Sequence, residues 1–254
     1  MKSPLFSCVM PVKGDRPYMA EALASLESQG MGDDLEIIVQ DADVEPDNGQ
    51  SDALNKGFAK ARGDWLFWLN ADDVLLPGAL ERVKSTLALR DGIDWIAGNQ
   101  LRIDEEGRVV DCCVGNVWHD WLYRHVVPHV FGPSAFFTRA LFEKAGGFDE
   151  SLHVCMDWDL WIRFMQGGAR FCRIDKYLWA LRQWCGSKTQ RPMSADEGGR
   201  QMEEVGRMMC KNGFTVTRGG LLVWRVWRLL NGNYYAEFRD RVRFRGRKAV
   251  ECAS

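Results

Sequence analysis

Three apolar runs, each passing directly into charged turns, constrain this chain more than any other feature. LFSCVMPV (5–12) stops at Lys13-Gly14-Asp15, LEIIVQDAD (35–43) ends in Asp41 and Asp43, and WLFWLNADD (65–73) ends in Asp72 and Asp73. Between them lie PYMAEALASLESQ (17–29), which opens on a proline, and QSDALNKGFAKA (50–61), both with apolar residues at helical spacing. Strand, helix, strand, helix, strand in so short a span predicts a parallel sheet with helices on its faces. In such a sheet ligands sit beyond the carboxyl ends of the strands, so Asp41, Asp43, Asp72 and Asp73 are all expected to face one crevice.

Downstream, PGALERVKSTLAL (77–89) again carries proline in a first helical turn, and 94–104 and 107–115 read as strands around a Glu-Glu-Gly turn. Residues 133–152 hold a short strand and a helix closed by Gly146 and Gly147, and MDWDLWIRFMQGG (156–168) is an amphipathic helix with a glycine stop. Beyond it the periodicity weakens, and no internal repeat or low-complexity segment occurs. With 254 residues, 46% of them hydrophobic, the chain can bury one large core, read here as a domain over 1–215 with an appendage over 216–254.

A net charge of −2 provides no chain-wide basic field, so nucleic acid is not an expected partner. The charge is uneven, with nine Lys/Arg against three Asp/Glu over 216–254. Eight cysteines without CxxC pairs or zinc spacing fit reduced thiols in the cytoplasm. The N-terminal apolar run of about six residues is too short for a signal peptide or a membrane span, so export by its own sequence is not expected.

Adjacent carboxylates at a strand end form a hard-oxygen site that takes Mg²⁺ or Mn²⁺ through one or two ligands and leaves the other positions to water and substrate phosphates. Such a cation offsets the charge that builds on a departing diphosphate. On the residues alone, Asp72 and Asp73 read equally as caps of the helix that starts near Pro77.

The stretch EPDNGQSDALNKGFAKARGDWLFWLNADDVLLPGAL (45–80) closely resembles the nucleotide-sugar half of family 2 glycosyltransferases. LFSCVMPV and LEIIVQDAD resemble that family's first two strands, and PSAFFTRALFEKAGGFDESLHVCMDWDLWIRF (133–164) resembles its acceptor half. The resemblance covers roughly residues 5–190, and the order of these motifs is more specific than any one of them. It implies the GT-A fold, a Rossmann-like α/β arrangement with a mixed, mainly parallel sheet flanked by helices, followed here by a C-terminal helical tail. The donor half would cover about 1–104 and the acceptor half about 105–215. The implied chemistry is transfer from a nucleoside-diphosphate sugar, most commonly a UDP-sugar, to a glycan or lipid-linked acceptor, with Mn²⁺ or Mg²⁺ as cofactor, as in surface polysaccharide synthesis.

Position by position, the resemblance implies that Asp41 hydrogen-bonds the nucleotide base and that the backbone of Pro11 and Val12 lines the same pocket. Gly49, Asp52 and Asn55 match the Gly-x-x-Asp-Ala-x-Asn segment that borders the donor. Asn70-Ala71-Asp72 resembles the DXD motif, with Asp72 as metal ligand and Asp73 as its supporter or second ligand. Asp157 matches the acid that serves as general base in inverting transfer, because a sugar hydroxyl is a poor nucleophile until a positioned carboxylate takes its proton. Without the other motifs, Asp157 reads first as an acid stabilised in a helix's first turn.

The chain departs from the family pattern at several places. Lys13-Gly14-Asp15 stands where relatives often carry Tyr-Asn, and the Ser/Thr-rich turn and helix common after the second strand are absent. Asn70 replaces an acid, removing one charge from the metal site, and Trp184 stands where many relatives place a histidine. Arg182 and Ser187-Lys188-Thr189 resemble a region whose basic and hydroxyl groups reach the diphosphate, and read equally as solvated loop. Of eleven tryptophans, Trp118, Trp121, Trp158, Trp161 and Trp184 fall in or after the acceptor half, where flat rings suit sugar faces. Most are expected in the core, Trp161 above all. His119, His125, His129 and His153 show no metal-ligand spacing.

The tail LLVWRVWRLLNGNYYAEFRDRVRFRGRKAV (221–250) interleaves apolar residues and arginines. It fits either a helix lying on the inner, anionic face of a membrane near a lipid-linked acceptor, or a helix packed on the domain with a solvated basic end. Two other function classes stay open. A nucleotidyltransferase also uses a parallel sheet, acids and Mg²⁺, but KGDRP is a poor match to its Gly-rich basic loop. A non-catalytic nucleotide-sugar-binding or scaffold protein finds its best support in Asn70.

Overall fold

A computed structural model describes residues 3–116, 120–126, 130–187 and 195–252. The first half alternates β1 (Phe6–Val12), α1 (Met19–Glu27), β2 (Leu35–Asp41), α2 (Gln50–Lys60), β3 (Trp65–Trp68), the short β4 (Val74–Leu75), α3 (Ala79–Leu89) and β5 (Trp95–Ile103). Then follow β6 (Val109–Cys113), α4 (Asp120–His125), β7 (Ala135–Thr138), α5 (Arg139–Ala145), α6 (Met156–Gln166) and β8 (Phe171–Arg182). Three helices close the chain: α7 (Ala195–Lys211), α8 (Arg218–Leu230) and α9 (Asn233–Phe244).

The strands form one mixed sheet in the order β2-β1-β3-β7-β5-β8-β4, with β6 also paired to β5. Three ladders are parallel: β1 with β2, β1 with β3, and β5 with β8. The β3–β7, β5–β7, β5–β6 and β4–β8 ladders are antiparallel.

Both faces of the central strands are covered, and the side-chain period of two divides each strand between two cores. Val9, Leu66, Trp68, Trp95 and Phe137 pack with Leu54 and Phe58 of α2 and Leu160 and Phe164 of α6. Phe6, Cys8, Met10, Phe67, Ile96 and Phe136 point the other way, onto Leu26 of α1 and Leu80 and Val83 of α3. This two-sided burial is why the strands read as unbroken apolar runs. It also requires a close approach at Gly57, where an added Cβ would lie 2.4 Å from a Val9 methyl.

The sequence did not mark α4 or α7, and it left two strands illegible. β4 is only two residues long. β8 changes register against β5 near Asn99, so its burial follows no single period.

The tail is two helices, and both pack on the domain. Arg228 of α8, 2% exposed, donates to the Val114 carbonyl at 3.1 Å, to Asn116 Oδ1 at 2.9 Å and to Glu237 Oε1 of α9 at 2.6 Å. Asp240 of α9 accepts from the Tyr177 hydroxyl of β8 at 2.8 Å, and Phe244 joins a third core with Leu101, Val109 and Ala180. Arg228→Ala leaves a largely enclosed Glu237 without its cation and is expected to cost about 3 kcal/mol of unfolding free energy, measured by equilibrium urea denaturation.

Candidate functional site

The carboxyl ends of β1 and β3 open on a cleft of about 880 Å³, lined by Pro11 and Val12 on one side and by Asp157 and Trp158 of α6 on the other. Gly49 and Gln50 at the start of α2, Asn70 and Asp72 in the turn after β3, and Gly132 before β7 complete its wall.

The four acids expected at one crevice divide. Asp72 lines the cleft, and Asp73 does not. Asp73 is 1% exposed; its Oδ1 accepts the backbone N–H of Arg182 at 3.0 Å and its Oδ2 accepts Asn70 Nδ2 at 2.8 Å. Burial pushes its carboxyl well above the usual carboxylate range, and the charge of Asp72 adds to the effect. The expectation of Asp73 as a second metal ligand is thereby corrected: both of its oxygens are engaged in holding the turn. Asp41 and Asp43 flank Arg16, whose Nη2 donates to them at 2.7 and 2.6 Å, and it is Arg16 that lines the cleft.

The donor-bordering segment divides in the same way. Asp52 is buried and accepts the Asn48 N–H at 2.9 Å and Lys56 Nζ at 3.0 Å. Asn55 clamps Phe148, donating to its carbonyl at 3.0 Å and accepting its N–H at 2.9 Å. Neither side chain lines the cleft, so these two positions act on the shape of its wall. Gly49 does line it, with a φ of 132° that side chains rarely adopt, and a Cβ there would lie 3.2 Å from His153 Nδ1.

Asp72 Oδ2 accepts the indole N–H of Trp184 at 2.9 Å, and Oδ1 has no partner among the described residues. Trp184 thus orients Asp72 from the position where a histidine was expected, but its indole has no lone pair to give a metal. Asn70 is a relay, accepting from Gln50 Nε2 at 2.9 Å while donating to Asp73. Among the described residues no group of three or more His, Cys, Asp or Glu could hold a metal ion. One open carboxylate oxygen facing the cleft suits Mg²⁺ or Mn²⁺ that takes the rest of its shell from water and phosphate.

Arg182 corrects a second expectation. It is fully buried, donating to the carbonyls of Asp72 (3.0 Å), Asp104 (3.2 Å) and Glu105 (2.9 Å) and to Glu21 Oε2 (2.6 Å), with its guanidinium 4.3 Å from the centre of the Tyr18 ring. It builds the wall and does not reach a diphosphate. Ser187 lines the cleft; Trp118, His119, His129, Lys188 and Thr189 lie outside the described residues.

Asp157 sits in the first turn of α6, its Oδ1 accepting the Trp158 N–H at 2.9 Å. Gly132 faces it: a Cβ there would lie 3.6 Å from Asp157 Oδ2 and only 2.7 Å from the Trp68 ring. Asp159, two residues on, is fully buried against Arg163 at 2.7 Å. Trp161 is a core residue, stacked on Trp95 with centroids 4.9 Å apart, whereas Trp158 and Trp184 face the cleft. Trp121 is exposed and stacks on His125.

Sequence reasoning missed Glu204 of α7. Its Oε1 accepts the backbone N–H groups of His153 (2.9 Å), Val154 (2.6 Å) and Cys155 (3.1 Å), which pins the turn leading into α6 and Asp157. Burial alone would raise the Glu204 pKa, but these amides outweigh it and hold the carboxyl below its ordinary value. No local pattern marks such a residue, because its partners are backbone groups distant in sequence.

Residues 44–109 match the family described as Glycosyl transferase family 2. An uncharacterised glycosyltransferase of Rickettsia prowazekii is 28% identical over 190 residues, 65% of this chain and 59% of that protein, so the chain spans about three fifths of that relative's length. The crystal structure of S. aureus TarS 1–349 in complex with UDP-GlcNAc is similar with a TM-score of 0.62 at 15% identity, covering 81% of this chain and 65% of that one. The mannosyltransferase PcManGT from Pyrobaculum calidifontis in complex with GDP-Man and Mn²⁺ is similar with a TM-score of 0.51 at 14% identity, covering 83% and 71%. These likenesses show a shared fold.

Glu204→Gln removes a charge that three amides stabilise, so it is expected to cost about 1–3 kcal/mol at neutral pH. Because the folded pKa is depressed, the wild-type advantage is complete above the ordinary value of 4.5 and shrinks as pH falls through the folded value. Denaturation midpoints of the two proteins from pH 7 down to acid check this.

Proposed function

We propose, from the match to the family 2 glycosyltransferases and the likeness to GT-A structures, that the chain moves a sugar from a nucleoside-diphosphate donor, UDP-linked in the first instance, to a glycan or lipid-linked acceptor with inversion. The observation that carries this reading is that Asp72 and Asp157, from the two halves of the chain, line one cleft. The TarS complex with UDP-GlcNAc and the PcManGT complex with GDP-Man support a nucleotide-sugar donor, and the Mn²⁺ in the latter supports a divalent cation.

In this reading residues 1–104 hold the donor and residues 105–215 the acceptor. Pro11 and Val12 border the base, with Asp41 at the rim beside Arg16, and Gly49, Asp52 and Asn55 shape the wall next to the sugar. Asp72 would hold Mn²⁺ or Mg²⁺, which when bound supplies positive charge against the departing diphosphate. Asp157 takes the proton of the acceptor hydroxyl as its oxygen bonds to the anomeric carbon. The bond from that carbon to the diphosphate oxygen breaks on the opposite face, and the nucleoside diphosphate leaves with the electron pair. Glu204 keeps the loop before Asp157 in place, so that the carboxylate need not be ordered during the reaction.

The same reading gives the protein a cytoplasmic place in surface polysaccharide synthesis, with the tail over 216–254 touching the inner face of the membrane. No helix among the described residues is long and apolar enough to cross one.

The test is thermal stabilisation by a panel of nucleotide sugars with and without Mn²⁺. A cognate donor at about a hundred times its Kd adds about 2.7 kcal/mol, a shift of several degrees, and chelation of Mn²⁺ reverses it. Asp72→Asn should lose the Mn²⁺-dependent part. Asp157→Asn should keep donor stabilisation while turnover falls about 10²–10⁴-fold. Stabilisation by none of the donors would sink the reading, and donor binding by wild type without hydrolysis or transfer would identify a non-catalytic binder.

A further inference from the structure

The two C-terminal helices present their apolar faces to water. On α8 the inward side carries Gly220 and Arg228, and the outward side carries Leu222, Val226, Leu229 and Leu230, whose spacing places them on one face. On α9 the inward side carries Asn233, Asp240 and Phe244, and the outward side carries Tyr235, Phe238 and Val242. Leu222, Leu229, Leu230, Tyr235, Phe238 and Val242 are each 63–77% exposed. A helix at home on a water-facing surface shows the reverse pattern, and an apolar surface shared by two joined helices marks a contact site.

Charge selects the partner. Arg218, Arg225, Arg243 and Arg245 are exposed along these helices and form no ion pair among the described residues. The acids are otherwise engaged: Glu237 pairs with Arg228, and Asp240 takes the Tyr177 hydroxyl and Arg239. The outer surface therefore combines aliphatic and aromatic groups with uncompensated positive charge. A second copy docked about a two-fold axis would bring like patches face to face and oppose two arginine rims. A bilayer rich in anionic lipid satisfies both features, with acyl chains receiving Leu and Phe and headgroup phosphates receiving Arg.

We propose that the outer faces of α8 and α9 form a docking surface for an anionic lipid bilayer, with the helix pair lying in the interfacial plane. The proposal rests on the membrane contact in the functional reading above and specifies its chemistry. Its position also suits that reading. Gly220 packs so tightly on α4 that a Cβ would lie 2.6 Å from the His125 carbonyl oxygen, and the chain beyond α4 returns at Val130–Gly132 in the cleft wall. The start of α8 is thus packed on the helix that precedes this part of the cleft wall.

The test is flotation of the full chain with phosphatidylcholine vesicles, with and without phosphatidylglycerol. Wild type should bind the phosphatidylglycerol vesicles at least about tenfold more tightly than the neutral ones, and added salt should weaken the binding. Leu222→Ser/Leu229→Ser/Phe238→Ser should lower affinity at least about tenfold. Arg218→Gln/Arg225→Gln/Arg243→Gln should abolish the preference for anionic lipid. All six side chains are exposed, and unchanged melting temperature and nucleotide-sugar stabilisation verify folding without lipid, so failure here is separable from failure of the donor reading. The proposal is overturned if wild type ignores phosphatidylglycerol vesicles, if the serine variant binds them as well as wild type, or if the surface instead forms a concentration-dependent dimer that the serine variant dissolves.

Discussion

The site depends on a carboxyl group that never meets the cleft. Asp73 is enclosed at the end of the β3 turn, where it gathers the backbone N–H of Arg182 from the end of β8 and the side-chain amide of Asn70. That junction continues the β4–β8 ladder and closes the sheet's far edge onto its centre. With Asp73 facing inward, its neighbour Asp72 faces the cleft, and Trp184, two residues past Arg182, arrives within hydrogen-bond reach of it. A buried acid is costly unless hydrogen-bonded or neutralised, and here its donors and its raised pKa meet that requirement.

The opposite wall is ordered on the same principle by a different group. Glu204 gathers three backbone N–H groups ahead of α6, and Gly132 admits the Trp68 ring beneath Asp157. Each of the two acids that line the cleft is thus backed by a buried polar junction joining segments distant in sequence. Such junctions restrict side-chain motion before substrate arrives, which is what positioned acid–base chemistry requires.

The tail repeats the theme with apolar and polar sides exchanged. Arg228, Glu237, Asn233 and Asp240 form the inner seam, and leucines, valines and aromatics are left outside. The buried polar seam fixes how the helices sit on β6 and β8. It leaves the apolar face available for a surface other than water.

Length, apolar period and turn residues were enough to determine the α/β alternation, the positions of α1, α2, α3, α5 and α6, and the strands β1, β2, β3 and β5. Two-sided burial writes itself into sequence as continuous apolar runs, and helices write theirs as a 3.6-residue period. The family motifs were equally local, so Asp72 and Asp157 were legible as candidates. Only the tertiary structure decided which of the neighbouring acids face the cleft, because Asp72 and Asp73 differ by the direction of one side chain at a strand end. It likewise decided that Arg182 is structural, that Asp52 and Asn55 bond within the wall, that Glu204 serves Asp157, and that the tail's apolar face points outward. Each of these turns on partners far apart along the chain, and a hydrogen bond to a distant backbone amide leaves no periodic mark in sequence.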